Sequence, residues 1–485
     1  LFYRAPHPPN VTPMEFQLAG VEYAINREHC LFGDAPGLGK SAECVLVSNA
    51  IEAKRTLVVC PASLRLNWER EIWTWSTTPN VTTHPVLKSA DGVNINSDYV
   101  IISYSLLANR AIREAILDVT WDNLILDEAH AMKDPGGNTR TKAICGFTDR
   151  HNDYHPGIES VVGRITMASG TILPNQPIEC YNAIRLMNHG AIDFMSLEDF
   201  RQYYYREGGG MVRGPYETTM TNKDGIEIAI QKNGLHWSNT VRNVPRRMKD
   251  LQRRLRKHVM VRRLTEEVLP QLPAIRWQPV PLEMTAGIRK ALKHPGWKEA
   301  EKLHQMDDGA FNTGIPIDGA ISTARRELGE AKAPKVADYV EELLLSGTHK
   351  IIVSAWHHSV LDYLRERLSG YGLVYMDGGT SAPQKQNAVD KFQNHDGTEI
   401  ILGQMITLMM GWTLTASSNV VNAEPDWVPG NNEQLMFRVR RIGQTASHLI
   451  GHMPIVPDTL DERILGTAIS KDKNIYQALD APLED

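Results

Sequence analysis

Two closely spaced glycines followed by a lysine and a hydroxyl form a chemical device wherever the backbone can bend around an anion. In Gly37-Leu38-Gly39-Lys40-Ser41 the glycines let backbone N–H groups close on phosphate oxygens, and a following helix would aim its positive dipole end at the same point. Lys40 would reach the β and γ phosphates of ATP, Ser41 would hold Mg²⁺, and Gly37 and Gly39 would complete the cradle. The full phosphate-loop pattern has Gly at position 34, where this chain has Asp34. Taken alone, the string is also compatible with a glycine turn bearing a surface lysine.

Two further groups add weight. Asp127-Glu128-Ala129-His130 ends the apolar run Leu124–Leu126, 87 residues beyond Lys40. Adjacent carboxylates at a strand terminus suit nucleotide hydrolysis: Asp127 can hold Mg²⁺ through its water shell while Glu128 orients and deprotonates the attacking water. In Arg438-Val439-Arg440-Arg441-Ile442-Gly443-Gln444, Arg438 and Arg441 stand three apart and share one helix face. Their guanidinium forks could stabilise charge developing on the γ-phosphate. A bare arginine cluster reads as a solvated helix; this one closes a second α/β stretch, where a finger from an opposing lobe is needed.

The elements that must position these groups follow from the apolar pattern. Short runs at Thr56–Cys60, Tyr99–Ser103, Asn123–Leu126 and Arg164–Ala168, and again at Lys350–Ser354, Leu373–Met376, Glu399–Leu402 and Asn419–Asn422, alternate with helical or polar sequence. That is the signature of parallel sheets flanked by helices. The expected fold class is therefore α/β, with two RecA-like lobes joined by a helical insertion. Lobe 1 is expected over 1–190, a helical and irregular insertion with linker over 191–275, lobe 2 over 276–455, and a C-terminal helix (Leu460–Ser470) with its tail over 456–485. Residues 206–240, rich in Gly, Thr and Asn, read as irregular.

At 485 residues the chain exceeds one ordinary core, and 42% hydrophobic with 22% charged residues is the balance of a soluble globular protein. No apolar stretch is long enough to span a bilayer, and Leu1–Pro6 lacks the apolar centre of a signal peptide. The five cysteines lack the paired spacing of a structural zinc site, and an odd number argues against a disulfide framework, so a cytoplasmic (nucleoid-associated) or nuclear compartment is expected. The 17 histidines, without cysteine partners at metal-site spacing, read as hydrogen-bonding residues. A net charge of −5 gives no global nucleic-acid signature, although a local basic groove would suffice.

From about Phe16 to Arg463 the chain resembles the SNF-type ATPases of helicase superfamily 2, and among them the HepA-related annealing-helicase branch. Phe16-Gln17-Leu18-Ala19-Gly20 is similar to the family's adenine-reading motif, which implies that Gln17 contacts the base; the family's phosphate loop commonly begins with Asp, as at Asp34. Val59-Cys60-Pro61-Ala62-Ser63-Leu64 with Asn67-Trp68, and Ser103-Tyr104-Ser105-Leu106-Leu107, resemble motifs that touch the DNA backbone, implying contacts from Pro61, Ser63, Asn67, Ser103 and Tyr104. Ser169-Gly170-Thr171 resembles the motif coupling hydrolysis to DNA movement, with Ile172 where the family has Pro. Met260-Val261-Arg262-Arg263 followed by Val268 and Leu272-Pro273 is another family string, and Ala331–Lys335 and Val353–His358 resemble the annealing-helicase branch. Met376-Asp377-Gly378-Gly379-Thr380 and Met410-Gly411-Trp412-Thr413-Leu414 imply DNA contacts at Gly378, Thr380 and Thr413 and coupling through Gly411. Gln434 to Gln444 resembles the arginine-finger motif, with Gln434 in a coupling place and Phe437 where an acidic residue is usual; Glu424–Pro429 matches a Trp-x-Pro turn.

The resemblance implies an ATP- and Mg²⁺-dependent translocase on double-stranded or branched DNA that remodels DNA or its bound proteins, by fork regression or strand annealing. A strand-separating helicase or RNA remodeller on the same scaffold, and a non-enzymatic DNA-binding scaffold, are the rival readings. Ten basic residues between Arg242 and Arg263 against a single Asp250 could track phosphates or form internal ion pairs.

Overall fold

Unbroken apolar runs become strands covered on both faces, as parallel sheets require. In the computed structural model, which describes residues 4–134, 138–170, 177–206, 210–221, 227–238, 244–245, 247–298, 300, 319–426, 429–459 and 461–462, they form two parallel sheets. The first contains β1 (Cys30–Phe32), β2 (Thr56–Cys60), β3 (Thr83–Pro85), β4 (Tyr99–Ser103), β5 (Asn123–Asp127) and β6 (Ile165–Ala168). Along β2, Leu57 and Val59 enter one apolar cluster while Val58 and Cys60 enter another on the opposite face, the period-2 alternation of a strand. Helix α1 (Glu15–Ile25) precedes β1, α2 (Lys40–Ala50) joins β1 to β2, and α3 (Arg65–Trp75) lies between β2 and β3.

Between β6 and the second lobe the chain departs from expectation twice. Tyr205–Arg206 pairs antiparallel with Val244–Pro245, and beyond that base β7 (Gly210–Thr221) pairs antiparallel with β8 (Glu227–Ser238) along its whole length. The stretch expected to be irregular is thus largely a β-hairpin. Its signal in the sequence is the Asp224-Gly225 dipeptide between two runs bearing Thr and Ile, which outweighs the polar composition. Second, after a basic helix, α4 (Met248–His258), the segment Met260–Val261 (β9) returns to lobe 1 and pairs with β1. The sheet runs β9-β1-β6-β5-β2-β4-β3. Lobe 1 therefore does not close at 190: its edge strand comes from within the expected insertion, because β1 offers an unpaired edge there.

Lobe 2 contains β10 (Ile275–Pro281), α5 (Gly319–Leu345), β11 (Ile351–Ala355), β12 (Leu373–Met376), α6 (Ala382–Asn394), β13 (Ile400–Gln404), β14 (Asn419–Asn422), α7 (Pro429–Met436) and β15 (Leu449–Ile455). Its strands are all parallel, in the order β10-β15-β14-β11-β13-β12. Ile351 and Val353 face one core and Ile352 the other. The expected Leu460–Ser470 helix lies outside the described residues except for Asp461 and Glu462; Asp461 accepts a hydrogen bond from the buried Lys332 ammonium at 2.9 Å, tying α5 to the chain beyond β15.

Candidate active site between the lobes

The order β1-β6-β5 places three loops side by side at the carboxyl ends of adjacent strands, where open α/β sheets bind ligands. These are the phosphate loop after β1, Ser169-Gly170 after β6 and Asp127-Glu128 at the end of β5. A cleft of about 410 Å³ opens between them and lobe 2.

Gly37 and Gly39 adopt φ of +88° and +80°, left-handed values that favour glycine. A Cβ at Gly37 would meet the Arg440 carbonyl oxygen at 2.4 Å, and one at Gly39 the Gln17 amide nitrogen at 2.5 Å. Gly39 caps α2, so Lys40 and Ser41 open the helix as a phosphate cradle requires. The Lys40 ammonium is folded onto the loop, donating to the carbonyls of Asp34 (2.8 Å) and Ala35 (3.1 Å). Burial lowers its pKa, against the pull of Asp34 and Glu128. Gln17 joins α1 to the same loop: its Oε1 accepts from Met14 N (2.9 Å) and its Nε2 donates to Leu38 O (3.2 Å).

The two carboxylates occupy different environments. Asp127 accepts from the Trp68 indole at Oδ2 (2.8 Å) and from Glu128 N at Oδ1 (3.0 Å); burial, then the neighbouring Glu128 charge, push its carboxyl up. Burial also acts to raise Glu128, but the His130 hydrogen bond and the charges of His130, Arg438 and Lys40 outweigh it and hold the group low. Glu128 sits at φ +51°, a left-handed conformation rare for a side-chain-bearing residue, which turns its carboxylate into the cleft. His130 Nδ1 lies 3.2 Å from Glu128 Oε2 and 3.4 Å from Ser169 Oγ, joining the proposed base to the proposed coupling turn. Ser41, Asp127 and Glu128 all line the cleft, and their oxygen atoms are of the kind that could hold Mg²⁺.

Lobe 2 supplies the opposing wall. Arg438 is buried, donates from Nε to Gln434 O at 2.9 Å and has no ion-pair partner among the described residues; burial and the nearby Arg441 charge lower its pKa to about 9. Arg441 donates to Gly411 O (3.0 Å), Thr413 Oγ1 (3.1 Å) and Phe437 O (3.1 Å). Gln434, Gly411 and Thr413 line the same cleft.

The residues expected to face DNA divide into two sets. Gly378 and Thr413 are exposed and Pro61 and Thr380 partly so, with Thr380 closing a turn on Asp377. Ser103 is buried and caps Leu106 N, Tyr104 is buried with its hydroxyl donating to Asp127 O (2.8 Å), and Ser63 contacts Met410 Sδ across the lobes (2.9 Å). Tyr104 thus buttresses the carboxylate loop and Ser103 caps the turn after β4; both are buried, because the apolar packing of β4 draws them inward. Asn67 lines the cleft, Gly170 likewise, and Thr171, Ile172 and Trp427 lie outside the described residues. Of the basic segment, Arg254 is engaged internally by Asp250, Asp193 and the Ala191 carbonyl, whereas Arg253 is largely exposed.

Glu71 has no role in the sequence motifs, and Trp68 enters them only beside Asn67 in a string expected to face DNA. Both line the cleft from α3, where Asn67 and Glu71 are four apart on one helical face; that periodicity is the signal that would have found Glu71. On the same helix, Arg70 makes a bidentate pair with Asp390 of α6 across the lobes, both bonds 2.8 Å. The pair is nearly half-exposed, so it is worth on the order of 0.2–1 kcal/mol and is salt-sensitive. Arg70→Ala should shift the lobes toward the open state by about 1.4-fold to fivefold at low salt, read by fluorescence energy transfer between dyes on the two lobes. The swap Arg70→Asp with Asp390→Arg should restore closure; a swap as open as the single variant would show that the pair contributes nothing.

The sequence profile of the SNF2-related domain matches residues 16–324, and that of the helicase conserved C-terminal domain residues 334–443. The chain is 28% identical over 474 residues to the SWI/SNF-related matrix-associated actin-dependent regulator of chromatin subfamily A-like protein 1 of Xenopus tropicalis, covering 96% of this chain and 45% of the relative. It is 27% identical over 462 residues to the human DNA annealing helicase and endonuclease ZRANB3, covering 93% of this chain and 39% of the relative. The chain thus spans less than half the length of these relatives. A solved Sulfolobus solfataricus SWI2/SNF2 ATPase core in complex with double-stranded DNA overlays at a TM-score of 0.42 and 17% identity, over 99% of this chain and 100% of that one.

Proposed function

The chain belongs to the SNF2-related family, and from that premise we propose that it is an ATP hydrolase that uses Mg²⁺ to translocate on double-stranded DNA, remodelling DNA or DNA–protein structures by fork regression or strand annealing. The observation that carries the reading is the division of the cleft. Lys40, Asp127 and Glu128 come from lobe 1, while the Arg438 guanidinium, without an ion-pair partner among the described residues, comes from lobe 2. ATP bound by one lobe recruits the arginines of the other, so binding favours closure and loss of the γ-phosphate releases it. Glu128, held charged, takes a proton from the attacking water, and Arg438 and Arg441 meet the charge that develops on the γ-phosphate. Bound Mg²⁺ supplies neutralisation of phosphate charge. Each cycle shifts Pro61 and Asn67 of lobe 1 against Gly378, Thr380 and Thr413 of lobe 2, so a duplex gripped by its phosphates moves stepwise and without regard to sequence. The relatives named as annealing helicases support the remodelling activity.

Duplex or branched DNA should stimulate phosphate release more than single strands or RNA, and the motor should displace the third strand of a triplex without unwinding a long blunt duplex. Stimulation by RNA alone would overturn the DNA assignment. A second reading, a strand-separating helicase, is favoured by the β7–β8 hairpin, two paired 12-residue strands of the kind a wedge between DNA strands would need. If it serves as one, the full chain unwinds a partial duplex, and replacing residues 210–238 with a short Gly-Ser turn abolishes unwinding while DNA-stimulated hydrolysis persists.

A further inference from the structure

The two arginines that follow β9 reach the nucleotide loops from far along the chain. Arg263 donates from its backbone N (2.9 Å) and from Nε (3.0 Å) to Asp34 Oδ1, and its Nη2 bonds both Asp34 Oδ2 and Glu43 Oε1. Its Nη1 donates to the Phe16 carbonyl, and its own carbonyl accepts from Ala35 N at 2.9 Å. One side chain therefore touches the residue before Gln17, the first residue of the phosphate loop and the first turn of α2. Beside it, Arg262 Nη1 donates to Gly33 O (2.6 Å) and Gly170 O (3.3 Å).

The surroundings are shaped to this contact. The side chains of Asp34 and Glu43 are fully buried and that of Arg263 is 13% exposed. Gly20 leaves the space: a Cβ there would meet Glu43 Oε1 at 2.2 Å and Arg263 Nη2 at 2.8 Å. Asp34, the departure from the general phosphate-loop pattern, thus has a partner of its own.

We propose that Arg263 is a positioning residue for nucleotide binding: its guanidinium fork fixes the phosphate loop, α2 and the Phe16–Gln17 turn relative to one another, so that ATP meets a preformed cradle. This rests on reading the cleft as the nucleotide site. A planar fork serves four acceptor atoms on three residues at fixed angles, which the three N–H bonds on the single nitrogen of a lysine cannot. The competing account is charge compensation alone. Both carboxylates pair with the one guanidinium, and burial, then Asp34, raise the Glu43 pKa well above normal against the pull of Arg263.

The two accounts separate in the full-length protein. Arg263→Lys keeps the charge and should weaken equilibrium binding of a fluorescent ATP analogue about tenfold or more, since charge-assisted hydrogen bonds are lost. The variant Arg263→Met with Asp34→Asn and Glu43→Gln removes every charge of the cluster; it should recover the thermal midpoint and still bind the analogue weakly, with KM raised more than kcat is lowered. Wild-type affinity in Arg263→Lys, or affinity that recovers together with stability in the charge-free variant, overturns the proposal. Should the charge-free variant not fold, Arg263→Lys still decides. Lys40→Ala measured in parallel keeps the premise separate: unchanged analogue binding there refutes the nucleotide site itself, whereas weakened binding there beside a normal Arg263→Lys refutes only the role of Arg263.

Discussion

Lys40→Ala is expected to reduce ATP hydrolysis nearly to background, by at least ~10²–10³, the scale of losing a donor that stabilises developing charge in a water-excluded site. The ammonium is held inside the glycine loop on two backbone carbonyls, at the start of α2, within reach of anything bound between Gly37 and Ser41. Alanine leaves those carbonyls facing the phosphates with no cation between them. The fold should persist, because Lys40 makes no ion pair with another element among the described residues. Phosphate release measured with saturating duplex DNA tests this, and a variant turning over at the wild-type rate would remove the loop from the reaction.

Arg438→Ala should show a different pattern. Its guanidinium is buried without a carboxylate partner among the described residues, a state that costs folding free energy and that an incoming phosphate relieves. Hydrolysis should fall by ~10³ or more, the range for arginine fingers, while nucleotide affinity changes much less. The free protein should become more stable to heat, because an uncompensated buried charge has been removed. Lysine at this position should not restore the rate, since a point charge cannot fork between phosphate oxygens. A variant that loses affinity but keeps a normal rate at saturation would make Arg438 a clamp on ground-state nucleotide. A lowered thermal midpoint would mean that its bond to Gln434 O holds the fold.

Much of this arrangement could be read from local pattern. The runs at Thr56–Cys60, Tyr99–Ser103, Leu373–Met376 and Asn419–Asn422 are strands with those same ends, because in a parallel sheet buried on both faces apolar continuity and strand extent coincide. Lys40, Asp127, Glu128, Arg438 and Arg441 line one cleft, as types and spacing suggested. Pairings between distant segments were not legible. Met260–Val261 is only two residues long, too short for a periodic signal, and its place beside β1 depends on which edge the folded sheet leaves open. Trp68 shows its use only once α3 packs against β5 and the indole meets Asp127. Tyr104 has the composition of a surface contact, and its burial under the carboxylate loop comes from packing that no local window contains.

The return of β9 to lobe 1 has a consequence for how the protein is made. Ninety-one residues separate the end of β6 at Ala168 from Met260. At a synthesis rate of about 5–20 residues per second, β1 therefore waits roughly 5–18 seconds on the ribosome with one edge unpaired and Asp34 without its guanidinium. A nascent lobe in that interval presents an open strand edge to other chains. Slowing translation between residues 169 and 259 should increase its capture by chaperones, whereas a slowdown beyond residue 300, once β9 can dock, should leave lobe 1 as protected as in the finished protein.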